Sequence, residues 1–173
     1  MAASIGGVFE GEMGKVFKLL FEQRLVAHHR LADSKAAGTK IAEQPSDYLI
    51  GLPQGCRNLI NGQRLCFLEA KASEKHSTMG KDAVRPVQRG AIARFRFLLG
   101  IPYYIIFWDS QLGAIQLWDG LAIHDNNRID KTFLLATWRD VGVINRLRHQ
   151  VVVDYIVDYF QIPKGVDTLN KTR

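Results

Sequence analysis

A continuous apolar run constrains the fold of this chain more than any other feature. The residues IPYYIIFW occupy positions 101–108, and the segment AIQLWD follows closely at 114–119. Strands that are buried on both faces form uninterrupted apolar stretches of this length, whereas strands with one solvated face alternate. We therefore expect two neighbouring strands of one sheet at these positions.

The segments before and after this run show helical periodicity. Near the N-terminus, apolar residues recur at helical spacing and predict a helix to about His28, with the stripe Phe9, Met13, Val16, Phe17 and Leu20. Pro86 suits the first turn of a second helix, Gly100 ends it, and its expected apolar stripe is Val87, Ala91, Phe95 and Leu98. A third helix is expected around Val152, Tyr155, Ile156 and Tyr159.

Two short strands are expected between the first two helices, at 47–50 and 65–70, and a turn-rich segment joins them. The order helix, strand, strand, helix, strand, strand predicts an α/β fold, with a mixed central β-sheet flanked by helices in a single domain over 1–173. We expect His28 and His29 at the end of the first helix. Trp108, Trp118 and Trp138 are expected in the core, and the pattern at 132–145 gives no assignment.

Composition excludes several classes of protein. The apolar fraction of 47% and the charged fraction of 23% are ordinary for a globular chain. The sequence contains no apolar run of membrane-spanning length and no signal-peptide pattern. Cys56 and Cys66 lack the spacing of a structural zinc site, and we expect both to be reduced thiols. The expected location is the cytoplasm, which would be the host cytoplasm for a phage-encoded protein.

The positive charge is concentrated in one window. The chain has a formal net charge of +6, and positions 71–96 hold seven lysine and arginine residues against two acidic ones. A local basic excess of this kind is typical of proteins that bind a phosphate backbone. A solvated basic surface is the alternative interpretation.

The segment LEAKAS at 68–73 places an acid and a base on one face of the second short strand. Glu69 and Lys71 are two residues apart, so both side chains point the same way, and the hairpin brings Asp47 towards them. A solvated cross-strand pair would explain Glu69 and Lys71 alone. Two carboxylates with the carbonyl of Ala70 would suit Mg²⁺, and Lys71 could orient water or stabilise a pentacovalent phosphate.

Further motifs extend this pattern. PSD at 45–47, LEAKAS at 68–73 and VRPVQRGAIARF at 84–95 together resemble the PD-(D/E)XK nuclease superfamily, more narrowly the RecU-like and phage-type Holliday junction resolvases. An N-terminal helix with glutamates, GGVFEGEMGKVFKLL, and RLAD at 30–33 are also similar. The resemblance implies a restriction-endonuclease-like core. The order P-S-D departs from the superfamily pattern, because the proline is one residue further from the acid.

The resemblance implies a role for each matching residue. Asp47 and Glu69, with the Ala70 carbonyl, would bind Mg²⁺, for which Mn²⁺ would substitute. Lys71 would be the catalytic lysine and Gln88 a positioning residue. A helix-borne glutamate would complete the site. Glu10 and Glu12 are both candidates, and Glu12 is favoured because it flanks the apolar stripe.

The implied function is Mg²⁺-dependent, structure-selective cleavage of DNA, with a Holliday junction resolvase as the leading hypothesis. Such an enzyme would cut branched DNA as a homodimer. The basic residues nearest the site are expected to contact DNA: Lys75, His76, Lys81, Arg85 and Arg89. Two alternatives remain, namely another endonuclease of the superfamily (nicking, restriction or replication-associated) and a non-catalytic DNA-binding module of the same fold.

Overall fold

The computed structural model describes residues 4–31, 44–123 and 128–163. Within these ranges the elements follow one another as α1 (Ile5–Glu22), β1 (Ala27–Arg30), β2 (Tyr48–Gly51), β3 (Leu65–Ser73), α2 (Pro86–Ile92), β4 (Tyr103–Asp109), β5 (Ala114–Asp119), β6 (Leu134–Trp138) and α3 (His149–Phe160). None of the helices in the described part of the chain is both long and apolar enough to span a membrane.

The described strands form one mixed sheet, in the spatial order β1-β2-β3-β4-β5-β6. Only β3 and β4 run parallel, and the other neighbours pair antiparallel. Parallel neighbours need a crossover connection, which α2 supplies here, whereas the antiparallel pairs need only turns or loops. The predicted fold class, a mixed central sheet flanked by helices, is confirmed.

Each face of the sheet has its own apolar core. On one face α1 and α3 cover side chains that include Ile50, Leu68 and Trp108. On the other face lies a smaller cluster around Ile92 of α2, with Ile105 and Trp118. All seven residues of β4 are buried, which explains its uninterrupted apolar sequence. Trp108, Trp118 and Trp138 lie in the core as predicted.

The first helix is shorter than predicted. It ends at Glu22, and Arg24 adopts a left-handed conformation with φ of 58°. The chain then turns back, so that His28 and His29 lie on β1 and not at a helix end. The sequence pattern missed β1 because this edge strand is mostly exposed and has no apolar alternation.

The second helix begins at Pro86 as predicted and continues through a π-helical segment, Ala93–Leu98, towards Gly100. The predicted apolar stripe is wrong for Val87 and Leu98, which are 44% and 72% exposed. Its other two members do pack, Ala91 against the core cluster and Phe95 against Phe67 at 4.8 Å between ring centroids. The face that packs on the sheet also holds Gln88 and Ile92. The polar side chain of Gln88 can be buried because it bonds to a buried carboxylate on β3.

Candidate active site

The β2–β3 hairpin brings two carboxylates together. Tyr48 pairs with Leu68, so Asp47, which precedes β2, lies opposite Glu69. The main-chain N–H of Ala70 donates a hydrogen bond to Oδ2 of Asp47 at 2.8 Å. β3 extends beyond the point where β2 begins. At Ala70, the Asp47 carboxylate therefore accepts the hydrogen bond that a longer β2 would accept. This bond holds the Asp47 carboxylate beside β3.

The same edge of β3 also presents a main-chain oxygen. Phe67 donates its N–H towards β4, to the carbonyl of Pro102. Because successive residues of a strand bond to opposite sides, Ala70 directs both its N–H and its carbonyl away from β4 and towards Asp47. The carbonyl of Ala70 therefore lies on the side of β3 where the two carboxylates meet.

Glu69 has no solvent-exposed surface and makes three side-chain contacts. Its Oε1 accepts from Nζ of Lys71 at 2.6 Å and from Nε2 of Gln88. Its Oε2 lies 3.5 Å from the hydroxyl of Tyr103. Lys71 is the partner that reaches solvent, with 19% of its side chain exposed. The ion pair predicted from the spacing is therefore not a solvated surface pair, because its acidic member is fully buried.

Gln88 is fixed at both ends of its amide group. Besides donating to Glu69, it accepts a hydrogen bond at its Oε1 from the main-chain N–H of Arg85, at 3.0 Å. The second bond belongs to the first turn of α2, where Gln88 caps the helix. The start of α2 therefore holds the Glu69 carboxylate in one orientation.

The two carboxylates disfavour each other's ionisation. Burial, and next the charge of Asp47, raise the pKa of Glu69 to about 7, although Lys71 and Arg85 oppose the shift. Burial also raises the pKa of Asp47, against the hydrogen bond from Ala70 and the charges of Lys71 and Arg30. A cation bound between the two carboxylates would relieve this electrostatic cost.

The donor set fits Mg²⁺ and does not fit zinc. In the ranges that the structure describes, no group of three or more His, Cys, Asp or Glu side chains is arranged to hold a metal ion. The available donors are the carboxylates of Asp47 and Glu69 and the carbonyl of Ala70. Mg²⁺ commonly takes one or two protein carboxylates and fills its shell with water and phosphate oxygens, whereas zinc sites use histidine and cysteine.

The structure does not bring the favoured helix glutamate, Glu12, to this site. Its carboxylate pairs with Lys15 at 2.5 Å and with His149 of α3 at 2.6 Å. Burial raises the pKa of Glu12, but these two partners outweigh it and lower the pKa overall. These two partners occupy the Glu12 carboxylate in this structure and speak against its expected role as a metal ligand.

The other candidate, Glu10, has contacts with residues next to the carboxylate pair. Its main-chain carbonyl accepts from the hydroxyl of Tyr48 at 2.6 Å. Its carboxylate lies 3.4 Å from the guanidinium of Arg30, whose charge in turn lowers the pKa of Asp47. Glu10 is thus linked to the carboxylate pair through a shared arginine.

The predicted DNA-binding residues follow the site along the chain. Lys75 and His76 are exposed, and their main-chain N–H groups both donate to Oγ of Ser73, at 3.0 Å. They line an open cleft of about 660 Å³ that begins at the end of β3. Arg85 is exposed, and Arg89 is half-buried with Nε donating to the carbonyl of Val84. The side chain of Lys81 and residues 32–33 of the RLAD motif lie outside the described part of the structure.

Sequence reasoning missed two residues of this region, Tyr103 and Arg30. Tyr103 stands in the apolar run that predicts β4, and Arg30 lies on the unpredicted edge strand. One signal was present for Tyr103, because a buried tyrosine hydroxyl needs a hydrogen-bond partner. Arg30 begins the RLAD motif at 30–33, but the resemblance assigned no role to it.

Comparison with known proteins gives similarity to solved structures only at low sequence identity. No family model matches the chain, and no curated protein sequence matches it. Among solved structures, the chain is similar to Hjc, a Holliday junction resolvase from the archaeal hyperthermophile Archaeoglobus fulgidus. The sequences are 14% identical, the TM-score is 0.45, and the match covers 71% of this chain and 88% of that chain.

Proposed function

We propose that this protein is a metal-dependent endodeoxyribonuclease that cuts branched DNA, with a four-way junction as its substrate. One observation carries the proposal: the fully buried Glu69 lies beside Asp47 and pairs with Lys71 at 2.6 Å, directly before a basic stretch of chain. A fully buried acid beside a half-buried one destabilises the folded state unless their charge is offset, as a bound cation would do.

Each residue of the site would have its own role in phosphodiester hydrolysis. Asp47, Glu69 and the carbonyl of Ala70 would hold Mg²⁺, which when bound neutralises charge on the phosphate and acidifies water. The ammonium group of Lys71 pairs with Glu69 at 2.6 Å, and 19% of the side chain is exposed. From there it would stabilise the negative charge that develops as the phosphorus is attacked. Gln88 keeps Glu69 oriented throughout, and it does so from a rigid helix start.

Recognition rests on phosphates and on the shape of the DNA. Lys75, Arg85 and Arg89 carry positive charge in this stretch of chain, and the charge of Arg85 acts on both carboxylates. His76 lies beside Lys75 in the same exposed segment. The motifs contain no element that is typical of base reading. Resolving a four-way junction requires two cuts in strands related by a two-fold axis. The protein therefore acts as a homodimer with one site in each subunit.

The test is cleavage of a labelled synthetic four-way junction beside linear duplex, flap and single-stranded DNA, with and without Mg²⁺. We expect paired symmetric nicks in the junction alone, and only with Mg²⁺. The variants Asp47→Asn, Glu69→Gln and Lys71→Ala should each abolish cleavage and leave junction affinity within a few-fold. Glu22→Gln, on the exposed end of α1, is the matched control and should cut normally.

Three outcomes would count against this proposal. Equal cleavage of linear duplex would reject the junction substrate and leave a nuclease of broader action. Junction binding without product at any divalent-ion concentration would instead favour a non-catalytic DNA-binding module. Full activity in any one of the three site variants would remove that residue from the mechanism.

A further inference from the structure

Tyr103 is a buried residue beside the acidic pair. It belongs to none of the motifs that resemble the nuclease superfamily. It is the first residue of β4, and its side chain has no solvent-exposed surface. Its hydroxyl donates a hydrogen bond to the carbonyl of Pro45 at 2.7 Å and lies 3.5 Å from Oε2 of Glu69. One buried hydroxyl therefore contacts both chain segments that hold the acidic pair.

The ring that holds this hydroxyl cannot easily move. It packs against Phe67, with 6.1 Å between the ring centroids. On another side it faces Gly120, where an added Cβ would lie 3.3 Å from Cδ1 of Tyr103 and 3.1 Å from its carbonyl oxygen. A side chain at position 120 would therefore fit tightly against the tyrosine, which would have to shift by a few tenths of an ångström. The hydroxyl is thus a fixed point between β3 and the segment before β2.

Asp47 needs such a fixed point more than Glu69 does. Glu69 lies inside β3, where β4 pairs with the strand on one side. Asp47 lies just before β2, and its position rests on separate bonds: Ala70 to its carboxylate, Leu31 to its carbonyl, and Tyr103 to the carbonyl of Pro45, two residues earlier. Removing the tyrosine hydroxyl would leave the Pro45 carbonyl without this bond and would loosen the turn that leads to Asp47.

We propose that Tyr103 is a positioning residue, whose hydroxyl sets the separation of the Asp47 and Glu69 carboxylates and so the affinity of the site for its divalent cation. This inference rests on the proposed function. Residues that orient metal ligands typically contribute about 10- to 100-fold in metal affinity or activity when they are removed. Tyr103 itself contacts neither the cation nor DNA.

The chain offers a closely matched control in the next residue. Tyr104 is also fully buried in β4, but its side chain points to the opposite face of the sheet. Its hydroxyl accepts a hydrogen bond from the main-chain N–H of Ile60 at 3.3 Å. Tyr103→Phe and Tyr104→Phe therefore remove the same atom from the same strand, and each hydroxyl has one partly buried main-chain partner. Only the first change touches the acidic pair.

The experiment measures direct Mn²⁺ binding by electron paramagnetic resonance, urea unfolding, and the Mg²⁺ concentration for half-maximal junction cleavage. We expect Tyr103→Phe to weaken Mn²⁺ binding about tenfold and to raise the half-maximal Mg²⁺ concentration by a similar factor. Saturating Mg²⁺ should restore most of the cleavage rate. Tyr104→Phe should bind Mn²⁺ like the wild type, even where both variants unfold at similarly reduced urea concentrations.

The outcomes separate this inference from the function on which it rests. Wild-type Mn²⁺ affinity in Tyr103→Phe, or an equal loss of affinity in both variants, would overturn the positioning role alone. A wild-type protein that neither binds Mn²⁺ nor cuts DNA would overturn the proposed function, and the inference with it.

Discussion

Glu69→Gln should stabilise the protein while it abolishes cleavage. The pKa of Glu69 is raised from its ordinary value of 4.5 to about 7, chiefly by burial and next by the charge of Asp47. Between these two pH values the folded state keeps a proton that the unfolded state has released. The free energy of unfolding therefore falls as the pH rises through this window, and the loss is complete above pH 7.

The size of the effect follows from the shift. Each pKa unit corresponds to about 1.4 kcal/mol, so the ionised Glu69 destabilises the folded protein by up to ~3 kcal/mol at pH 8. A neutral glutamine removes this cost and can still accept a hydrogen bond from Gln88. For a chain of this size we expect Tm to rise by about 6–12 °C at pH 8. At pH 5 the change should be close to zero.

The assay is urea unfolding at pH 5 and pH 8, in the presence of EDTA so that no divalent cation compensates the charge. Glu22→Gln is the control, because Glu22 is exposed and makes only a surface ion pair with Lys18. It should change stability little at either pH. A Glu69→Gln variant that is less stable than the wild type at pH 8, or equally stabilised at both pH values, would refute this account of the buried acid.

Three further predictions concern the cation, α1 and the DNA. Mg²⁺ should raise Tm more at pH 8 than at pH 6, because at pH 6 the cation must first displace the proton held by the Asp47–Glu69 pair. Thermal melts in which Mg²⁺ raises Tm equally at both pH values would contradict this. Glu12→Gln should keep full cleavage. It should lower the free energy of unfolding by about 1 kcal/mol, measured by urea unfolding, because the contact with His149 is weakened. Loss of cleavage in a folded variant would show that Glu12 belongs to the site. Arg85→Ala should weaken junction binding and lower the slope of log affinity against log salt by about 1, with Lys18→Ala as the unaffected control; an unchanged slope would separate Arg85 from the DNA.

The sequence was most informative where local rules decide the geometry. Strand alternation places Glu69 and Lys71 on one face, and the pairing of two consecutive strands, joined by residues 52–64, places Asp47 beside them. Neither step requires knowledge of distant contacts. The unbroken apolar run likewise predicted β4, because a strand covered on both faces has no reason to alternate.

Prediction failed where packing at long range decides. The strand β1 has no apolar pattern, since it lies at the sheet edge and pairs only with β2. The face of α2 that packs on the sheet includes a polar residue, Gln88, which bonds to Glu69, and apolar periodicity does not predict a buried polar residue. The position of Glu12 depends on α3, whose His149 is 137 residues away along the chain. Tyr103 was not expected to be a site residue, because it stands in an apolar run and its hydroxyl is the one polar atom of its side chain.

The most direct test of the central claim is a crystal structure with Mn²⁺, examined for anomalous scattering from the metal. The account predicts one strong peak within bonding distance of the carboxylates of Asp47 and Glu69 and the carbonyl of Ala70, with Lys71 turned away from Glu69. No peak between these carboxylates at saturating Mn²⁺, or a peak bound by Glu12 and His149 instead, would contradict it.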